Sequence, residues 1–175
     1  IPSVLLTLVC LVFFSGIYPV VLWGIAQAAP DNGKGFMVKT NGKKYYENIG
    51  QKFTADKYFW SRPSAVAYNA AGSGGSNKGP SNPDYLKTVQ VAVDTFMQHN
   101  PGIDKSQIPS DLVTASGSGL DPDISVQAAK IQVKRIARVR NLNEQELMKL
   151  IEEHTEKPLL GLFGPAKVNV LELNI

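Results

Sequence analysis

Residues 58–85 have the sequence YFWSRPSAVAYNAAGSGGSNKGPSNPDY, and this stretch decides how the fold is organised. Proline, glycine, serine and asparagine recur so densely that neither a helix nor a strand can run far through it. A loop longer than about 15 residues inside a compact domain is usually functional or disordered. The aromatic residues argue against disorder, because rings at this density need a core to pack against. We therefore expect a long ordered loop.

An uncharged apolar segment, residues 4–25, precedes the loop. About 20 apolar residues suffice for a helix to cross the hydrocarbon core, and a helix satisfies its own backbone there without water. We therefore expect a transmembrane anchor over residues 1–28 and one soluble domain over 29–175. The segment contains two adjacent small residues, an aromatic residue suited to the membrane interface, and a proline that would kink the helix. Small residues favour close packing against other helices, although they also suit a lipid-facing surface. The packing candidates are Ser15, Gly16, Tyr18 and Pro19.

A cleaved signal peptide is the alternative to this anchor. Ala26-Gln27-Ala28 has the small-x-small pattern of a cleavage site, and cleavage there would release a secreted binding protein. The apolar stretch is longer than the roughly 7–15 residues of a signal-peptide core, which favours an uncleaved anchor. By the positive-inside rule alone the following domain would be cytoplasmic, because the span is followed by Lys34, Lys39, Lys43 and Lys44.

Composition excludes several function classes. The chain has 18 Lys and Arg against 15 Asp and Glu, a net charge of +3. That excess is too mild to indicate nucleic-acid binding, and no basic patch is interleaved with stacking aromatics. Cys10 is the only cysteine, so the chain cannot form an internal disulfide. His99 and His154 stand alone without metal-ligand spacing, and we find no catalytic constellation and no metal site.

The soluble part predicts an α+β domain with short strands near both ends and about three helices. A hairpin is expected over 36–46, with a primed turn at Asn41-Gly42. Asn82 as N-cap and Pro83 at the first helical position mark a helix start. The predicted helices cover 82 to about 100, 125 to about 140 and 143 to about 156, and a terminal strand covers 166–173.

Three blocks within the long loop, at 61–65, 73–77 and 81–83, resemble the KdpC family, whose members belong to the bacterial Kdp potassium-transporting ATPase. Residues 112–121, 124–129 and 168–174 resemble the same family, in the same order. Together with the apolar segment, the resemblance spans nearly the whole chain. One glycine-rich run would be a weak signal, whereas this ordered set is specific.

The resemblance implies a non-catalytic accessory subunit of an ATP-driven, high-affinity potassium uptake complex, needed for assembly and stability of the pump. Its partners would be a potassium-selective, channel-like subunit and a P-type ATPase subunit, which handle potassium and ATP, while this chain binds no cofactor firmly. It also implies an effect on the ATP affinity of the pump subunit. The chain would cross the bacterial inner membrane once, amid membrane lipid, with its domain outside. For the side of the membrane we follow the resemblance rather than the positive-inside rule, because that rule compares the charges on both flanks of the span.

The glycine-rich part of the loop is the weak candidate for contact with a nucleotide or a partner. Successive backbone amides there would form a cradle for an anion, although the spacing is not that of a Walker A loop. A rigid turn cluster in a docking loop is the interpretation we favour. The residues concerned are Ser73, Gly74, Gly75, Ser76 and Asn77.

Docking to the partner subunits is assigned to the two ends of the loop. Arg62 would offer a planar hydrogen-bonding fork either to a partner carboxylate or to its own loop, and the sequence leaves this open. The docking candidates are Phe59, Arg62, Pro63, Ser64, Asn82 and Pro83.

A basic run without acids occupies the second predicted helix. It would form a docking face for an acidic partner or phosphate, or it would pair with the acidic third helix or remain solvated; we favour the latter. The resembled family often has proline where this chain has Lys134, so a kink at that position is in doubt. The run comprises Lys130, Lys134, Arg135, Arg138 and Arg140.

Overall fold

The apolar N-terminal segment forms a helix in two pieces, in a computed structural model that describes residues 1–40 and 42–175. Helix α1 covers Pro2–Val12 and α2 covers Tyr18–Gln27, with a π-helical turn, Phe13–Ile17, between them. The wider turn lies just before Pro19, whose ring conflicts with an ordinary α-helical turn. The whole stretch Pro2–Gln27 is 26 residues long and apolar enough to cross a membrane.

A two-stranded hairpin follows, as the sequence predicts. Strand β1, Met37–Thr40, pairs antiparallel with β2, Lys43–Tyr46, so that two residues connect them. Gly42 has φ +74°, as a primed turn requires, whereas the predicted turn residue Asn41 lies outside the described residues. The chain divides into two compact units, Ile1–Tyr46 and Glu47–Ile175, and the hairpin belongs to the first.

Helix α3, Pro83–His99, begins where the sequence predicts. The Asn82 side chain accepts hydrogen bonds from the backbone N–H groups of Asp84 and Tyr85, satisfying donors that the first turn leaves unpaired. Its inner face buries Val93 and Phe96. Short 3-10 turns at Lys105–Gln107 and Ser110–Leu112 then lead to β3, Asp123–Ser125, a strand that the sequence analysis does not predict.

The prediction of one helix over 125–140 is wrong. The structure has α4, Val126–Lys130, and α5, Val133–Arg140, with a break at Gln132. The backbone N–H of Gln132 donates to Ala129, three residues back, and its side-chain Nε2 donates to the carbonyl of Ala128. The side chain thus takes the acceptor that a continuous helix would use for the backbone, and the break needs no proline.

The last two predicted elements need correction. Helix α6, Glu144–Glu153, ends before the predicted residue 156. Residues Thr155–Glu156 instead form strand β4, which pairs antiparallel with β5, Lys167–Asn169. The predicted strand over 166–173 likewise stops at Asn169, whose side chain caps helix α7, Val170–Asn174. Strand β5 lies between β3 and β4 in an antiparallel three-stranded sheet.

The core of the second unit lies between this sheet and the helices. Its members come from both of these layers and also from the long loop, whose Phe59 is 1% exposed. The largest buried apolar side chains are Phe59, Phe96, Ile124, Ile136, Ile151 and Val168. The predicted class, an α+β domain behind an N-terminal apolar helix, is confirmed. The predicted boundary between residues 28 and 29 stays a prediction.

Candidate functional site

The first part of the long loop is built into the core rather than laid on it. The backbone of Phe59 exchanges two hydrogen bonds with the side-chain amide of Asn174, its N–H donating at 2.8 Å and its carbonyl accepting at 2.9 Å. The N–H of Trp60 donates to Gln132 Oε1 at 2.8 Å. The base of the loop is therefore joined to α7 and to the break between α4 and α5.

Arg135, on α5, holds the same part of the loop from beneath. The residue is 2% exposed, and its guanidinium donates to the side chains of Asn100 at 3.0 Å and Gln132 at 2.7 Å. It also donates to the backbone carbonyl of Tyr58 at 3.0 Å and to that of Asp56. One planar fork therefore donates to four acceptors from three separate segments, one more than the three N–H donors of a lysine ammonium.

The electrostatics of Arg135 follow from its burial. Desolvation lowers its pKa to about 10, with Asp56 opposing this shift and Arg138 adding to it. The guanidinium remains charged at neutral pH, and it lies 4.6 Å from the centroid of the Trp60 ring, as in a cation–π contact. Its hydrogen bonds run to neutral oxygens, which compensate part of the cost of burying the charge.

The other basic residues of this region behave differently from Arg135. Lys134, Arg138 and Arg140 are exposed and Lys130 is half-buried. No ion pair joins α5 to α6 within residues 1–40 and 42–175. Remaining solvated was one of the two outcomes expected for the basic run. The assignment of Arg135 to that surface is wrong, because its side chain points into the core.

The middle of the loop is tied to the turn that precedes β3. Arg62 Nη1 donates to Asp121 Oδ2 at 2.7 Å, and Ser64 Oγ donates to the carbonyl of Gly119 at 2.6 Å. The hydroxyl of Tyr68 donates to the carbonyl of Arg62, and burial raises the Tyr68 pKa to about 12. Of the two roles that the sequence left open for Arg62, the structure shows it binding within its own chain.

The glycine-rich part of the loop rests on the same turn. Ser73 Oγ and the N–H of Gly74 both donate to the carbonyl of Ser118, at 3.0 and 2.8 Å. Gly119 has φ +68°, and a Cβ atom there would lie 2.7 Å from Val66 Cγ2 and 2.8 Å from the carbonyl oxygen of Gly74. The close contact requires glycine at this position.

These contacts divide the predicted docking residues into two groups. Phe59 is in the core, Arg62 and Ser64 bind within the chain, and Asn82 caps α3. The side chains of Ser76, Asn77 and Pro83 remain outward, the exposed Ser73 is held by its bond to Ser118, and Gly74, Gly75 and Pro63 are half-buried. Docking through this loop stays a prediction, as does the anion cradle, for which the N–H of Gly74 is already engaged.

A cleft of about 640 Å³ opens beside the Arg62–Asp121 pair. Four of its five charged side chains are paired with one another: Arg62 with Asp121 at 2.7 Å and Lys167 with Asp123 at 2.6 Å. Lys167 also contacts Glu156, which does not line the cleft, at 3.2 Å. In the part of the chain that the structure describes, no three His, Cys, Asp or Glu side chains are placed to hold a metal ion. The cleft is therefore a charged surface held in shape by ion pairs.

The chain matches known proteins along its whole length. The family model KdpC, described as the c chain of K+-transporting ATPase, matches residues 1–175. The chain belongs to the KdpC family. Its relatives include potassium-transporting ATPase KdpC subunits from Flavobacterium psychrophilum, 56% identical over 97% of this chain and 92% of the relative, and from Bacteroides fragilis, 51% identical over 99% and 93%. That of Geobacter sulfurreducens is 47% identical over 99% and 94%.

Sequence reasoning missed the residues that hold the loop. Arg135 was not distinguished from its exposed basic neighbours, and Gln132 carried no signal at all. Gly119 was given no role of its own, although repeated Ser-Gly pairs at 116–119 offered a signal for close backbone approach.

Gly119→Ala should detach the glycine-rich part of the loop. A methyl group at this left-handed position would collide with Val66 and Gly74, and we expect the free energy of unfolding to fall by about 1–3 kcal/mol. Limited trypsin digestion of the full chain in detergent should then cleave faster after the exposed Lys78. Gly117→Ala is the matched control, because a Cβ there meets nothing within 4 Å. Equal cleavage rates for the two variants would contradict the contact.

Proposed function

We propose that this chain is a non-catalytic accessory subunit of a potassium-transporting ATPase complex, which it helps to assemble and stabilise. The observation that supports this most strongly is the KdpC match over residues 1–175, together with relatives that are named as subunits of such an ATPase. The apolar helix Pro2–Gln27 would anchor the chain in the bacterial inner membrane. A channel-like subunit and a P-type ATPase subunit would be its partners.

The long loop is the proposed docking element. Its hydrogen bonds to Asn174, Gln132, Asp121 and Ser118 hold it in shape before any partner binds. A preorganised loop loses little conformational entropy on binding, so more of the contact energy contributes to affinity. The outward polar side chains at 76–83 would then meet the partner. Potassium transport and ATP hydrolysis would be carried out by the partners.

A second role, raising the ATP affinity of the pump subunit, depends on which side of the membrane the domain occupies. The exposed side chains of Ser76 and Asn77 beside the half-buried glycines are the feature that favours it. We place the domain outside the cytoplasm, where it cannot touch cytoplasmic ATP and would act only through coupling across the span. Release after Ala28 as a secreted binding module is the less favoured alternative.

Deleting residues 61–83, or the span itself, should abolish assembly. The measurement is recovery of both large subunits on an affinity-tagged copy of this chain after co-expression and detergent solubilisation. Gly119→Ala should reduce recovery, because it displaces the loop, and Gly117→Ala should recover both subunits normally. Normal recovery with the loop-deleted chain would defeat the docking proposal.

Labelling of a single cysteine can show which side of the membrane the domain occupies. Ser106 is exposed, and Cys10→Ser removes the only native thiol, so Ser106→Cys provides a unique label. We expect a membrane-impermeant maleimide to label this variant in intact cells. The Cys10→Ser chain without the new cysteine is the background control. Labelling only after lysis would place the domain in the cytoplasm and revive the nucleotide role.

A further inference from the structure

Residues 158–165, with the sequence PLLGLFGP, form a small hairpin that the established family membership leaves without a role; we call it the apolar tip. Leu159 and Phe163 exchange two backbone hydrogen bonds, both 3.0 Å long. Leu160 and Gly161 have φ values of +55° and +74°, as in the type I′ turns that connect tight hairpins. The tip therefore has a defined shape.

The tip presents four large apolar side chains to the outside. Leu159 is 69% exposed, Leu160 and Leu162 are each 81% exposed, and Phe163 is 62% exposed. None of them belongs to the core. Single exposed apolar residues are ordinary, whereas four within five positions form a cluster of the kind that marks an interaction site.

The backbone of the tip is hydrogen-bonded in part to itself. The N–H groups of Leu159, Gly161, Leu162 and Phe163 all donate within the tip, and Pro158 and Pro165 have no N–H to satisfy. A loop that enters lipid must satisfy its backbone internally, because hydrocarbon offers no hydrogen-bond partner. The tip meets this requirement for four of its six N–H groups, and the carbonyl oxygens of Pro158, Leu159 and Phe163 accept these bonds.

The charge around the tip and its covalent link to the apolar helix both favour contact with lipid. No charged residue occurs from 158 to 166, and the flanking charges are both lysines. Lys157 is exposed at the base, where its ammonium suits the level of lipid phosphates, while Lys167 is held by Asp123 and Glu156. The same chain carries the apolar helix Pro2–Gln27, so covalent linkage keeps the tip at high effective concentration near a bilayer.

We propose that the apolar tip inserts into the boundary between headgroups and acyl chains of the bilayer that holds the anchor. Its ligand is phospholipid, and the tip gives the domain a second attachment to the membrane besides the helix. The inference rests on the membrane anchoring in the proposed function, but not on the docking role of the long loop. An exposed, uncharged apolar tip whose N–H groups are mostly paired within it favours the interfacial region of a bilayer over a groove on a partner protein.

The test uses the full chain with Cys10→Ser and Leu162→Cys, labelled with an environment-sensitive fluorophore and reconstituted in phospholipid vesicles. We expect a blue-shifted emission that is quenched by a nitroxide near the top of the lipid acyl chain and is shielded from iodide in the water. The same label on Ser106→Cys should show the opposite pattern. Adding Leu160→Ser and Phe163→Ser should abolish lipid quenching of the probe at 162, with the circular dichroism spectrum unchanged.

Iodide quenching of the probe at 162 equal to that at 106 would overturn the proposal. A second measurement uses vesicles that also contain the co-expressed partner subunits. If the probe is then shielded from iodide and from the lipid nitroxide alike, the tip occupies a protein groove, and the lipid assignment is wrong. Normal recovery in the loop-deletion experiment would defeat the docking proposal, but it would leave both of these results interpretable, because they use the chain with its loop intact.

Discussion

The buried guanidinium of Arg135 is the interaction on which the arrangement of the second unit depends. It joins the end of α3, the break between α4 and α5, and the start of the long loop through N–H donors that lie in one plane. Burying a charge costs free energy unless its donors are satisfied, so the acceptors must stay where the structure places them. The base of the loop is consequently ordered by the hydrogen bonds that Arg135 donates to its backbone.

Order at the base lowers the entropic cost of order farther out. Once Phe59 and Trp60 are held in place, a shorter length of free chain must be ordered for Arg62, Ser64 and Gly74 to contact the turn at 117–121. Each further hydrogen bond closes a short loop rather than a long one, which reduces its entropic cost. A polar, glycine-rich segment thereby becomes a surface of defined shape, which is the property that a docking element in a membrane complex needs.

Local signals predicted the elements whose ends are decided locally. Asn82 and Pro83 predicted the start of α3, because capping involves only adjacent residues. The break at Gln132 was not predictable in this way, since its side-chain oxygen accepts from Trp60, 72 residues away. The terminal strand was overextended because a short run of consecutive buried residues, here 168–171, has the same pattern in a strand and in a short helix. The burial of Arg135 likewise depends on acceptors from distant segments, which no local pattern reveals.

The central claim is tested most directly by comparing Arg135→Lys with Arg138→Lys in the full chain. Lysine at 135 keeps the charge but cannot serve the acceptors of the fork, so the free energy of unfolding should fall by about 3 kcal/mol. Hydrogen exchange at the amides of Phe59 and Trp60 should accelerate in the same variant. Arg138 is exposed, and its replacement should change neither quantity. Unchanged stability and unchanged exchange in Arg135→Lys would contradict the account.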